Sequence, residues 1–354
     1  MYASFETMLS IMSSKLRIII YTYLKIIMST ILSLQIVGET WYNKDSLAES
    51  LAQLPPNSDV VIDANSEGPA LAPFGVLDLL TKFPHNYSFT KWSNPIEPVP
   101  YPRIKCSERS HFLTMSWRYW IDEIENLAAD KVFGLFIGRP SVARNCIIYD
   151  VVHNWSDQFL LSKMTLHNYD PWNDRKHPGC ITIETLDQWA SEQRAADIKQ
   201  WANSNPIPSL DNLHVKDYYK IPEISSAECA RSLLSYYNQF NVELVCETYV
   251  HGTTFFPTEK TVRPVVGNKP FLVFGPVDYL KNLQDLGFKT FGDVWDESYD
   301  SYSGYDRWLK MQQVIDFIST QDQSARQALL NQCSHITRHN RKRLREIIND
   351  YKEF

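Results

Sequence analysis

The chain has 354 residues, more than one ordinary hydrophobic core accommodates, so two domains are expected. Hydrophobic residues make up 44% of the sequence and charged residues 21%, a balance that excludes an intrinsically disordered chain. The formal net charge of −6 disfavours a protein whose main role is to coat nucleic acid, because such proteins are usually basic.

Residues 14–37 are apolar, but two lysines and an arginine interrupt the stretch. The uncharged run at 26–37 is shorter than the roughly 20 apolar residues that cross a bilayer. A membrane anchor is therefore the less favoured interpretation. We expect a first strand that begins soon after Met28, and we expect residues 1–27 to be an extension that the fold does not need.

Strand-like and helical patterns alternate through the first 130 residues. Apolar runs bounded by turn residues predict strands, and leucines at helical spacing predict helices. The predicted strands cover 30–38 and 86–94, with a short one beginning at residue 59, and the predicted helices cover 44–54, 73–83 and 115–131.

The alternation starts afresh near residue 132 and continues beyond a loop-rich stretch at 165–220. A capping box, Ser225-x-x-Glu228, predicts one helix start, and Gly287 predicts one helix end. The predicted strands cover 132–140, 157–164, 241–249 and 269–275, and the predicted helices include 141–155, 277–287 and most of the last 45 or so residues.

Repeated strand–helix–strand units imply mostly parallel sheets with helices on both faces. We predict an α/β protein with two Rossmann-like domains that face each other across a cleft. The predicted division is the extension 1–27, a first domain at 28–130, a second at 131–305 and a helical segment at 306–354. Ligands of such sheets lie at the carboxyl ends of strands. By that rule, the candidate ligand-binding loops are those after Ile62, Ile137, Val245 and Phe274.

The loop "GRPSVAR" (138–144) follows a predicted strand and opens a predicted helix. Backbone N–H groups at a helix start favour an anion, and arginine grips phosphate oxygens in bidentate fashion. Arg139 and Arg144 are therefore candidates for phosphate or diphosphate binding, with a solvated surface charge as the alternative for each. The chain contains neither the dinucleotide-binding nor the P-loop glycine motif.

The stretch "CETYVHGTTFFPTEK" (246–260) places an acid and a base together at a predicted helix start. Glu247 ends a predicted strand, Thr258 is a good N-cap, and Glu259 suits the positive end of the helix dipole. Lys260 does not suit that end. A lysine there favours an anionic ligand, and the neighbouring acids can accept hydrogen bonds from sugar or ribose hydroxyls. A nucleotide-sugar donor carries both an anionic diphosphate and such hydroxyl groups.

Residues 242–276 resemble the donor-binding core of the α-1,3-fucosyltransferase-like glycosyltransferases. The resemblance lies in a strand ending in Glu247, the start Thr258-Glu259-Lys260, and a strand that opens with Pro270 and closes with Gly275. It implies a two-domain GT-B enzyme, with 28–130 binding the acceptor and 131–305 binding the donor. The continuation at 279–300 resembles glycosyltransferase-like proteins of phage and environmental origin.

The resemblance implies a metal-independent sugar transfer from a nucleotide-diphosphate donor, for which a GDP-sugar is one candidate. Positive residues would stabilise the departing diphosphate, and a carboxylate of the first domain would act as general base. Glu67 is the preferred base and Glu97 the second, with an ordinary loop acid as the alternative for each. The donor-binding candidates are Arg139, Arg144, Glu247, Thr258, Glu259, Lys260 and Arg263.

The remaining motifs suggest no further chemistry. His335 and His339 have helical spacing, but the surrounding arginines would repel a metal cation, so no metal site is predicted. The six cysteines form no Cys-x-x-Cys pair, which favours reduced thiols in a cytoplasmic protein, of a host cell if the chain is viral. The basic tail 338–346 predicts the polar face of a helix, with a nucleic-acid contact as the alternative.

The predicted partners are a nucleotide-sugar donor and a glycan or other hydroxyl acceptor, without a stable nucleic-acid complex or membrane association. Two other functions remain open. One is a non-catalytic nucleotide-sugar or glycan-binding module of the same fold. The other is a viral transferase that adds sugar to modified bases in DNA, which would need a basic groove leading into the cleft.

Overall fold

The computed structural model describes residues 30–37, 40–64, 71–72, 74–90, 104–106, 113, 129–138, 141–163, 189–204, 233–234 and 236–352. These residues form an α/β structure with two parallel four-stranded sheets and eight α-helices, an architecture compatible with Rossmann-like folds. Residues 115–128 of the predicted helix at 115–131, and the predicted capping box at Ser225 and Glu228, lie outside the described residues, and Lys131 begins a strand instead of ending that helix.

The first sheet is built from the amino-terminal third of the chain. Its elements are β1 (Thr30–Ser33), the antiparallel pair β2 (Ile36–Val37) and β3 (Thr40–Trp41), α1 (Lys44–Ala52), β4 (Asp59–Asp63), α2 (Val76–Thr81), β5 (Asn86–Thr90) and β6 (Ile104–Cys106). The strand order is β1-β4-β5-β6, with every neighbouring pair parallel. The pair β2 and β3 forms a separate small sheet.

The second sheet follows after residue 130. Its elements are β7 (Lys131–Ile137), α3 (Val142–Asn154), β8 (Phe159–Lys163), α4 (Glu192–Ser204), β9 (Phe240–Cys246), α5 (Glu259–Val266), β10 (Phe271–Phe274), α6 (Tyr279–Asp285), a 3-10 turn (Ser298–Ser301), α7 (Gly304–Ser319) and α8 (Gln323–Lys352). The strand order is β10-β9-β7-β8, and all described pairs are parallel.

Buried hydrophobic side chains form two clusters, one around each sheet. In the first, Val60 and Ile62 of β4 pack with Leu47 and Leu51 of α1, which lie one helical turn apart. In the second, every residue of the inner strand β9 and of the edge strand β10 is buried, as expected for a parallel sheet with helices on both faces. Helices α7 and α8 contribute to this second cluster, so these two helices share its core.

Most predicted elements are confirmed within a few residues of their expected ends. Gly287 follows α6 with a φ of +87°, the left-handed geometry that a glycine adopts readily, as predicted for this helix end. No helix within the described ranges has the length and apolar character needed to cross a membrane. The three cysteines whose side chains are described, Cys146, Cys246 and Cys333, are buried and form no disulfide bond.

Candidate functional site

The second sheet reverses its strand order between β7 and β9. From β7 the chain passes through α3 to β8 on one side, whereas β9 and then β10 lie on the other. In open α/β sheets, ligands bind outside the carboxyl ends of the strands at such a switch point. The corresponding crevice lies beyond Ile137, which ends β7, and Cys246, which ends β9.

Glu247 is the first residue after β9, and it is fully buried. Its Oε1 accepts hydrogen bonds from the backbone N–H groups of Thr258 at 3.0 Å and Thr261 at 3.2 Å, and from the Thr261 hydroxyl at 2.6 Å. Its Oε2 accepts from the Thr258 hydroxyl at 2.6 Å and from the Thr248 N–H at 3.2 Å. Glu247 therefore caps the start of α5 from outside the helix, satisfying N–H groups that lack partners within it.

This geometry changes the interpretation of Glu247. The sequence predicts that its carboxylate binds a hydroxyl of the donor. In the structure, protein donors occupy both oxygens, and the carboxylate holds the position that an anionic ligand would take at the α5 start. We therefore assign Glu247 a positioning role at the start of α5.

Lys260 supplies the cation beside that helix start. Its Nζ donates to Glu259 Oε1 at 2.9 Å and to Thr258 Oγ1 at 3.0 Å, and it lies 3.4 Å from Thr248 Oγ1. Thr258 Oγ1 also accepts from the Lys260 N–H, which confirms Thr258 as the predicted N-cap. The Lys260 and Glu259 side chains are 13% and 25% exposed, so a ligand can reach both.

Glu259 should stabilise the fold less as the medium becomes acidic. Burial alone would raise its pKa, but Lys260, with help from Arg263 and a backbone N–H, lowers the pKa to about 2. Because this value lies below the ordinary 4.5, the stabilisation is complete above pH 4.5 and is lost as the pH falls towards 2. We expect the difference in unfolding free energy between wild type and Glu259→Gln to be constant near neutral pH and to shrink below about pH 4.5. Denaturant titrations at several pH values measure it, and a pH-independent difference would contradict this account.

Arg144 joins the two sides of the crevice. It lies in the first turn of α3, whose N-cap is Ser141, and it is buried. Its Nη2 donates to the backbone carbonyls of Cys246 at 3.2 Å and Glu247 at 2.8 Å. The guanidinium thus connects α3, which follows β7, to the end of β9. The predicted phosphate contact of Arg144 stays a prediction. What the structure shows is that Arg144 links the helix after β7 to the end of β9.

Arg263 lies away from the start of α5, near its carboxyl end. Its Nη2 pairs with Glu243 Oε1 of β9 at 2.8 Å, with both side chains buried, and the Tyr237 hydroxyl donates to the other carboxylate oxygen. Burial alone would lower the pKa of Arg263, but Glu243 and Tyr237 outweigh it and raise the pKa. Arg263 therefore anchors α5 to β9, which differs from the donor contact that the sequence predicts.

Another ion pair, between Arg307 and Asp300, orders the chain after β10. Arg307 of α7 is fully buried and donates to the carbonyls of Val273 and Pro276, each at 2.9 Å. It also pairs with Asp300 Oδ1 at 2.9 Å. The Asp300 carboxylate in turn accepts from the N–H groups of Leu280 at 3.0 Å and Lys281 at 3.2 Å, so it caps α6 from a distance.

The remaining predicted site residues, Glu67, Glu97 and Arg139, lie outside the described residues. The sequence predicts no role in the site for Thr261, Asp300 or Arg307. Thr261 stands three residues after the N-cap Thr258, the spacing of a capping box, which is the available local signal. No sequence pattern within a few residues identifies Asp300 or Arg307, because their hydrogen-bond partners lie on other elements.

Comparison with protein-family models, with curated proteins and with solved structures finds no match to this chain. Across the described ranges, no group of three or more His, Cys, Asp or Glu side chains is arranged to hold a metal ion.

Proposed function

We propose that the chain is a GT-B-like glycosyltransferase that moves a sugar from a nucleotide-diphosphate donor to an acceptor hydroxyl. In this proposal the two parallel sheets belong to domains that face each other across a cleft. The donor binds at the switch point between β7 and β9, and the acceptor binds at the first domain. The resemblance of residues 242–276 to fucosyltransferase-like enzymes supports the same assignment.

The observation that carries the proposal is the partly exposed pair of Glu259 and Lys260 beside the start of α5. An ammonium stabilises phosphate oxygens, and a carboxylate accepts hydrogen bonds from hydroxyl groups. A pKa of about 2 keeps Glu259 ionised at neutral pH, so it suits a hydroxyl acceptor and does not suit a general acid. A nucleotide sugar carries both diphosphate and hydroxyl groups.

The other residues complete the proposed mechanism. Arg144 and Arg139 contribute positive charge on the β7 side of the crevice, which stabilises the diphosphate as it leaves. Glu247 positions the helix start and does not itself contact the donor. The general base that deprotonates the acceptor comes from the first domain, with Glu67 the first candidate and Glu97 the second. No metal takes part in the proposed transfer.

Lys260→Ala should weaken nucleotide binding by about 10-fold or more, because a charge-assisted contact to phosphate contributes about 1.5–3 kcal/mol. Isothermal titration calorimetry with GDP, UDP, ADP, CDP and dTDP measures the dissociation constants. Lys281→Ala is the matched control, since Lys281 is exposed on α6 and lies outside the proposed contacts. The nucleotide affinity of Lys281→Ala should equal that of the wild type.

Two results would contradict the proposal. One is that none of the five nucleotides binds the wild-type chain. The other is that Lys260→Ala binds the preferred nucleotide as tightly as the wild type. Turnover separates the open alternatives. Binding of a nucleotide sugar without hydrolysis or transfer would favour a non-catalytic module, and transfer to DNA alone would favour the base-modifying enzyme.

A further inference from the structure

Tyr279 connects two helix starts at the carboxyl edge of the second sheet. It is the first residue of α6, and it is fully buried. Its hydroxyl lies 3.1 Å from Glu247 Oε1 and 2.7 Å from the Thr261 hydroxyl. Thr261 also donates to the same Oε1, so the two hydroxyls and the carboxylate oxygen form a triangle of short contacts that share two hydroxyl protons. The triangle joins α6 to the carboxylate that caps α5.

The ring of Tyr279 is held in one place by packing. It contacts the Phe255 ring with centroids 5.0 Å apart. Gly275, just after β10, lies so close that an added Cβ would approach Tyr279 Cδ2 to 3.0 Å. A glycine is therefore needed for the ring to reach Glu247 without a shift. Burial, reinforced by the Glu247 charge, raises the pKa of Tyr279 well above 10, so the hydroxyl stays protonated and able to donate.

The backbone next to Tyr279 is also held in place, by hydrogen bonds to Asp300. Asp300 caps the N–H groups of the next two residues, Leu280 and Lys281, and Arg307 holds Asp300. A continuous set of contacts thus runs from α7 through Asp300 and Tyr279 to Glu247. From Glu247 it continues through Thr258 to the ammonium of Lys260.

We propose that Tyr279 is a positioning residue for the Glu259–Lys260 pair, and through that pair for the diphosphate of the donor. The diphosphate part rests on the proposed function. The Tyr279 hydroxyl fixes the rotamer of Glu247, and Glu247 fixes the Thr258 hydroxyl that contacts Lys260 Nζ. Without the tyrosine hydroxyl, Glu247 retains its backbone donors, so α5 still forms, but Lys260 samples a wider set of positions.

Tyr279→Phe tests the proposal because it removes one oxygen and leaves the ring packing intact. We expect the dissociation constant of the preferred nucleotide diphosphate to rise about 3- to 10-fold, the effect of losing one hydrogen bond in the supporting network. The ³¹P resonances of the saturated complex should also shift relative to the wild-type complex. Tyr87→Phe is the matched control, since Tyr87 is a buried tyrosine of the first sheet.

The ³¹P signals separate positioning from simple loss of structure. A partly unfolded variant would show fewer bound molecules with unchanged bound resonances. Wild-type affinity together with wild-type ³¹P resonances in Tyr279→Phe would overturn the proposal, as would equal changes in Tyr87→Phe.

A ligand-free measurement keeps this inference distinct from the proposed function. Competitive acetylation followed by mass spectrometry reports the reactivity of each lysine amine. In Tyr279→Phe the Lys260 amine should become several-fold more reactive, while that of Lys281 stays constant. If the wild type binds no nucleotide, the proposed function fails, and this measurement still decides whether Tyr279 positions Lys260. Unchanged reactivity of Lys260 would overturn the positioning role.

Discussion

Replacement of Glu247 by alanine should lower the free energy of unfolding by about 3–5 kcal/mol. The substitution removes a buried acceptor that receives six hydrogen bonds, two of them from N–H groups at the α5 start. Each buried donor left without a partner costs about 1–3 kcal/mol, and partial relaxation with water entry brings the total into the stated range.

Guanidinium denaturation followed by tryptophan fluorescence measures this loss, and hydrogen exchange locates it. The amide hydrogens of Thr258 and Thr261 should exchange much faster in Glu247→Ala, because both lose their acceptor. Glu346→Ala is the control, since that side chain is 46% exposed on α8 and should change stability by less than about 0.5 kcal/mol. A loss below about 1 kcal/mol for Glu247→Ala would contradict the capping role.

Arg307→Met should destabilise the chain by a similar amount, about 3–5 kcal/mol. Methionine replaces much of the volume but none of the donors. The carbonyls of Val273 and Pro276 and the Asp300 carboxylate would then lose their buried partner. Because the Asp300 charge then remains uncompensated on a side chain that is only 13% exposed, the loss exceeds that expected from packing alone.

A double-mutant cycle makes this second prediction specific. Asp300→Asn removes the charge that Arg307 balances, so the doubly substituted chain should lose less stability than the two single changes added together. Arg338→Met is the control, because Arg338 lies on the exposed side of α8 and donates within its own helix, to the Ser334 carbonyl. Strict additivity in the cycle, or an equal loss in Arg338→Met, would show that the ion pair does not order this region.

The sequence by itself determined the alternation of strands and helices and the parallel sheets. Those properties follow from periodicity and from signals within a few residues. Thr258 is a helix N-cap in the structure, as its hydroxyl and its position predict. Helix α1 begins at Lys44 and ends two residues before the predicted end, which lies within ordinary fraying. Local features of this kind can be predicted because the residues that produce the sequence pattern are the same residues that form the hydrogen bonds.

The partners of the buried charges were decided by the tertiary structure alone. Lys260 was identified from its position against the helix dipole, but the carboxylate that occupies the helix start, Glu247, lies 11 residues before Thr258. Arg144 reaches carbonyls 102 and 103 positions away, and Tyr279 reaches Glu247 across 32 positions. A carboxylate or guanidinium in a sequence shows only that it needs partners. Which groups satisfy it depends on how parallel strands bring distant segments to one edge of a sheet, and neither composition nor spacing contains that information.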